Sequence, residues 1–125
     1  MAKSISKLLA ELDRLEASRR ATFEELARAD ALLLGSLGVV RRTCGKSNCH
    51  CADKESPGHP TTVLMSAQAD GRRCQVVRVA DVERLQGLVD RYRRFREGLR
   101  ALKHLETELH DLLKELMRLR NAGYS

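Results

Sequence analysis

The chain is 125 residues long, 42% hydrophobic and 32% charged, with a formal net charge of +6, two Tyr, two Phe and no Trp. At this length, within the ~100 to 200 residues of one ordinary domain, apolar contacts must come from Leu, Val and Ala. That suits helix seams and argues against an enzyme with a roomy substrate cleft.

The N-terminal stretch MAKSISKLLAELDRLEAS is charged every few positions and holds no apolar run of secretory or membrane-spanning length, so neither export nor a membrane is expected. Residues 1–36 read as a coiled-coil helix, because Ile5, Leu8, Leu12, Leu15, Leu26, Ala29 and Leu33 recur at steps of three and four, with Arg19 and Thr22 in the weak middle. Ser4 stands where a cap belongs, and Gly35 or Gly38 is placed to end the helix.

Residues 37–80 change period. Val39 to Thr43, Thr61 to Ala67 and Arg72 to Val79 are short β-branched runs, and Asp70-Gly71 signals a hairpin between the last two. A β module this small lacks a core of its own and needs a staple.

Residues 81–121 read as a second, longer helix. Leu85, Leu88, Tyr92, Phe95, Leu99, Leu102, Leu109, Leu113 and Leu116 make its seam, Glu106 interrupts it, Asp81 stands at the N-cap and Asn121-Ala122-Gly123 at the end. A helix of that length needs a partner along its seam. The expected fold is mainly α with a small β insertion: two long antiparallel coiled-coil helices flanking a zinc-stapled β-hairpin module. The turns from Leu105 to Leu119 then lack a partner within the chain, which predicts a homodimer through helices.

Four cysteines are present, and Cys44, Cys49 and Cys51 fall within eight residues in the run CGKSNCHC. Such density favours metal ligation in a reducing, cytoplasmic compartment over a disulfide framework. Zn²⁺ takes thiolates and imidazoles, usually four in a tetrahedral structural site. The expected ligands of one structural zinc per chain are Cys44, Cys49, Cys51 and His59, the last held in a turn by Pro57-Gly58 and Pro60. Cys74 is the second choice for the fourth ligand and His50 the third. No Asp or Glu stands beside the cluster as a general base, and no Ser/His/Asp set or Gly-rich phosphate loop is present, so no enzymatic activity is expected.

Residues 35–52, GSLGVVRRTCGKSNCHCA, followed by a His-Pro turn, a strand, Asp-Gly, a strand and VERLQGLVDRYRRFR, resemble a family of short bacterial proteins with a CGKPxCxCA core. Genes of that family often lie beside transposases or integrases. The resemblance spans about residues 35–100; Ser47 stands where the family has Pro, and Gly-His-Pro replaces a His-Gly-Pro-aromatic turn. It implies a metal and a mobile-element setting, and no reaction.

The charge surplus lies in residues 41–100, with thirteen basic and seven acidic residues, while residues 1–40 hold six of each and residues 101–125 four of each. Arg41, Arg42 and Lys46 surround the cysteines, Arg72 and Arg73 lie on the hairpin, and Arg91, Arg93, Arg94, Arg96 and Arg100 crowd the long helix. The planar guanidinium suits phosphate, and no aromatic platform for single strands accompanies it. These residues are the candidate nucleic-acid contacts of a non-enzymatic, zinc-stabilised accessory protein that binds double-stranded DNA. The alternative is a coiled-coil adaptor that docks a recombinase or transposase through its β module. A solvated flank, with Asp90 and Glu97 pairing several arginines, is the plain reading of the same residues.

Overall fold

The computed structural model describes residues 4–68 and 70–124. Helix α1 spans Ile5–Ala27. Ser4 caps it as expected: its backbone is extended, and its Oγ accepts from the Lys7 N–H at 3.3 Å. The helix closes at Arg28, whose N–H donates to the Glu24 carbonyl at 3.1 Å, while the Ala29 N–H donates to the Leu26 carbonyl at 3.2 Å.

Strands β1 (Gly35–Arg42), β2 (His59–Gln68) and β3 (Gly71–Val76) form one antiparallel sheet in the order β1-β2-β3. The first ladder pairs Gly35 with Ser66 and ends with Arg42 opposite His59. The second pairs Val63 with Val76 and Gln68 with Gly71. Gly35 opens β1 because a side chain there would lie 2.6 Å from the Met65 carbonyl oxygen. A short 3₁₀ turn at Val79–Asp81 then leads into α2, Val82–Leu119. Asp81 belongs to that turn, where its carboxylate meets Arg78 at 3.3 Å and Arg84 at 3.7 Å.

The chain divides into two compact units, one of Asp30–Arg93 and one of the residues up to Ala29 with those from Arg94 onward. In the sheet unit, pairing places Leu37, Leu64 and Gln75 on one face. Leu64 and Gln75 line a cleft there with Val77 and Leu85 of α2. Among the described residues Cys51, Val63, Leu64 and Val89 are the buried apolar ones of this unit. The backbone ties this unit together as well: the Leu33 N–H donates to the Leu88 carbonyl at 3.1 Å, and the Arg91 guanidinium to the Ala31 carbonyl at 3.1 Å.

In the helical unit α1 runs beside the later turns of α2. Among the described residues Leu8 and Leu15 are its buried side chains, and α2 approaches Leu26 so closely at Gly98 that an added Cβ would stand 2.6 Å from the Leu26 Cδ2.

The expected pair of flanking coiled-coil helices is not what forms. A coiled coil buries its seam residues as knobs in holes along its whole length. Here Ile5, Leu99 and Leu113 are exposed at 38, 49 and 53%, and Leu8 and Leu15 are the buried residues of α1. The N-terminal helix ends at Ala27, and residues 30–34 leave it to lead into β1, so Ala29 and Leu33 are not helical seam positions. Gly35 begins a strand where a helix stop was expected, because β-sheet pairing with Ser66 outweighs a local apolar run. The three β-branched runs of the middle segment form one three-stranded sheet, and the first turns of α2 belong to its unit. Among the described residues no helix is long and apolar enough to cross a membrane.

Candidate metal centre

The cysteines sit on the loop between β1 and β2. Cys44 follows the end of β1, Cys49 precedes a 3₁₀ turn at His50–Ala52 and Cys51 lies within it. The turn forms because the Cys49 N–H donates to the Lys46 carbonyl at 3.2 Å and the Ala52 N–H to the Cys49 carbonyl at 3.0 Å. His59 is the first residue of β2, opposite Arg42, so sheet pairing closes the loop at its base and delivers the imidazole to the thiols.

Two features hold that base. Gly58 is buried at φ +80°, and a Cβ there would lie 2.9 Å from the Arg42 carbonyl oxygen, so the approach to His59 requires glycine on both counts. The Arg41 guanidinium donates to the Gly58 carbonyl at 3.2 Å.

The Sγ atoms of Cys44, Cys49 and Cys51 and a ring nitrogen of His59 all lie within 4.8 Å of one another. The nearest pairs are Cys49 Sγ with His59 Nε2 at 3.1 Å and Cys51 Sγ with Cys44 Sγ at 3.3 Å. A tetrahedral ion with Zn–S bonds of ~2.3 Å holds its donors ~3.7 Å apart, so this set brackets that spacing. The four residues could hold a metal ion, and all four cysteines are free of disulfides.

The electrostatics suit thiolate ligation. The Lys46 backbone N–H directed at Cys44, followed by the Cys51 side chain, pulls the Cys44 thiol below its ordinary range. At Cys51 the Cys44 N–H, 3.3 Å from Sγ, favours the thiolate, but burial and the neighbouring thiols of Cys44 and Cys49 together outweigh it and push the thiol up. A cation among these sulfurs relieves that mutual repulsion.

The other candidates for the fourth ligand fall outside the group. Cys74 is exposed on β3 opposite Met65, in the stretch paired with the far half of β2. His50 stacks edge-on against His59 at 5.0 Å between ring centroids, with its Nδ1 3.8 Å from Cys49 Sγ.

The predicted basic residues do not form one patch. Arg41, Arg42 and Lys46 lie at the metal end of the sheet, whereas Arg72 and Arg73 pair with Ala67 and Ser66. Six to eight residues of strand, ~20 to 25 Å, separate Arg41 and Arg42 from Arg72 and Arg73. The charge is also shared between units: Asp30–Arg93 holds ten basic and seven acidic residues, and the helical unit thirteen and ten. On α2, Arg93 meets Asp90 at 4.0 Å. Among the described residues Arg42, Lys46, Arg72, Arg73, Arg94 and Arg100 are exposed and make no ion pair. Sequence reasoning gave Arg41 to an outside partner and missed its bond to Gly58, since no spacing rule announces a guanidinium that reaches a carbonyl across the base of a loop.

Comparison of the chain with protein-family models, with curated proteins and with solved structures found no match.

Proposed function

We propose that this chain is a non-enzymatic, zinc-stabilised accessory protein that binds the phosphate backbone of double-stranded DNA, in the mobile-element setting that its cysteine motif suggests. Three thiolates and one imidazole are the donor set of a structural zinc. With four protein ligands no position remains open for a reacting water, so the ion closes the loop of residues 43–58 and does no chemistry.

The observation that carries the nucleic-acid reading is the set of exposed basic side chains without a carboxylate. Arg94 and Arg100 on α2 and Arg42 and Lys46 beside the cysteines have no ion pair among the described residues. A merely solvated flank would pair its arginines with acids three or four residues away, as Arg19 does with Glu16 on α1. The second reading, an adaptor that docks a recombinase or transposase, draws support from the sheet. Val40, Met65 and Val76 are exposed on one of its faces.

Fluorescence anisotropy of a labelled random duplex against salt separates the two. Binding whose logarithm falls linearly with log salt is expected, and Arg94→Ala with Arg100→Ala lowers the slope by about one for each phosphate that the variant no longer neutralises. No binding at low salt removes the DNA reading and leaves the adaptor.

A further inference from the structure

The helical unit has an apolar surface that α1 and α2 leave uncovered between them. Taking α1 from its buried line of Leu8, Leu15 and Leu26, the exposed Ile5, Leu9 and Phe23 fall within an arc of about 40°, turned about 60 to 100° away in the direction of chain advance. Taking α2 from Gly98, which meets Leu26, the exposed Leu99, Leu113 and Met117 fall within a second arc of about 40°, offset by the same angle in the same sense. The helices run antiparallel, with Leu26 level with Gly98 and Arg19 within electrostatic reach of Glu106. Equal offsets of equal sense on antiparallel helices point to the same side. The two arcs therefore make one face, apolar toward both ends and charged at its middle.

We infer that this face binds a second copy of the chain, giving a two-fold four-helix assembly. Three observations favour a second copy over another occupant. The first is charge: α1 holds four basic and five acidic residues and 94–119 holds six and five, so the helix pair is neutral overall, and Arg94 and Arg100 lie about 100° or more around α2 from its apolar arc, so the face itself offers no complement to a charged partner.

The second is area. Six large side chains that are 38 to 65% exposed present roughly 500 Å² of apolar surface per chain. Two copies then bury about 1,000 Å² before any rim is counted, and the stems of flanking Lys and Arg bring this to the ~1,200 Å² at which stable interfaces begin.

The third is self-complementarity. Arg19, bound to Glu16 through two hydrogen bonds of 2.7 Å, lies with Glu106 midway along the face. Phe23 and Leu99 lie toward one end, and Ile5, Leu9, Leu113 and Met117 toward the other. A two-fold axis through the middle sets each apolar end against the other copy's opposite end, and the central cluster, holding both signs of charge, against itself.

Sedimentation equilibrium of the metal-loaded full chain without nucleic acid tests this independently of the DNA reading. The expected mass is twice the 14.1 kDa of one chain. Leu113→Glu with Met117→Glu should give a monomer, and Leu113→Ala with Met117→Ala, which keeps good helix formers, should raise the dissociation constant by on the order of tenfold or more. If the Glu variant fails to fold, the Ala variant decides. A wild-type chain that is monomeric at every concentration assigns the face to a different partner and overturns the inference. So does a dimer indifferent to both variants.

Discussion

The sheet unit and the helical unit are held together by different physics. In Asp30–Arg93 the apolar core among the described residues amounts to Val63, Leu64, Val89, Cys51 and their half-buried neighbours, and the long loop of residues 43–58, with His59, gathers four groups that could hold a metal ion. In the helical unit no cysteine takes part, and cohesion comes from Leu8, Leu15 and the apolar stripe of α2. Small segments without a large core depend on a staple, whereas a helix pair depends on the area that it buries. The two units should therefore fail separately.

The largest expected effect is loss of the metal. The wild-type chain should carry one zinc by elemental analysis, and Cys49→Ser should abolish it, with collapse of amide protection across residues 43–68. Structural zinc contributes ~10–16 kcal/mol in small zinc modules. The far-ultraviolet signal of the helices should persist in that variant, and a chain whose helices melt together with the loop would break the separation of units. Cys74→Ser should leave the metal content unchanged, because Cys74 lies outside the donor group.

Leu8→Ala acts on the other unit. Leu8 is fully buried, so its truncation should cost ~2–5 kcal/mol of helical stability in thermal unfolding and leave the zinc content at one per chain.

Acid gives the smallest effect and refines the comparison within the helical unit. The hydrogen bond from Arg19 holds the Glu16 carboxyl below the usual carboxylate range. A depressed native value means that the contribution is complete above the ordinary range and is lost as pH falls from that range through the lowered native value. Glu16→Gln should flatten the acid limb of the melting temperature slightly, and an unchanged limb would show that the pair contributes nothing at this exposed site.

Much of the molecule was legible from residue types and spacing. Ser4 is a cap because a β-region residue with an acceptor oxygen before an apolar helix has little else to do. That Cys44, Cys49, Cys51 and His59 gather into a group that could hold a metal ion was readable because soft thiolates crowded into eight residues have few chemical uses. The irregularities in the two seams were visible too, but not their relation. Arg19 and Glu106 are separated by 87 positions (106 − 19), and only folding brings them within electrostatic reach.

By itself the sequence determined the elements that rest on local chemistry: the two helices, the strand character of the middle, and a loop whose cysteines could hold a metal ion. Helix propensity, β-branching and thiolate density act over a few residues, so a reader of the chain can weigh them. Tertiary structure alone decided where α1 stops, that Gly35 starts a strand, that the basic residues part into groups ~20 to 25 Å distant on the sheet, and which leucines remain uncovered. Each of those outcomes depends on register or on a partner far along the chain. Pairing of Gly35 with Ser66 displaced a helix that local preference favoured, and no window of sequence contains both residues.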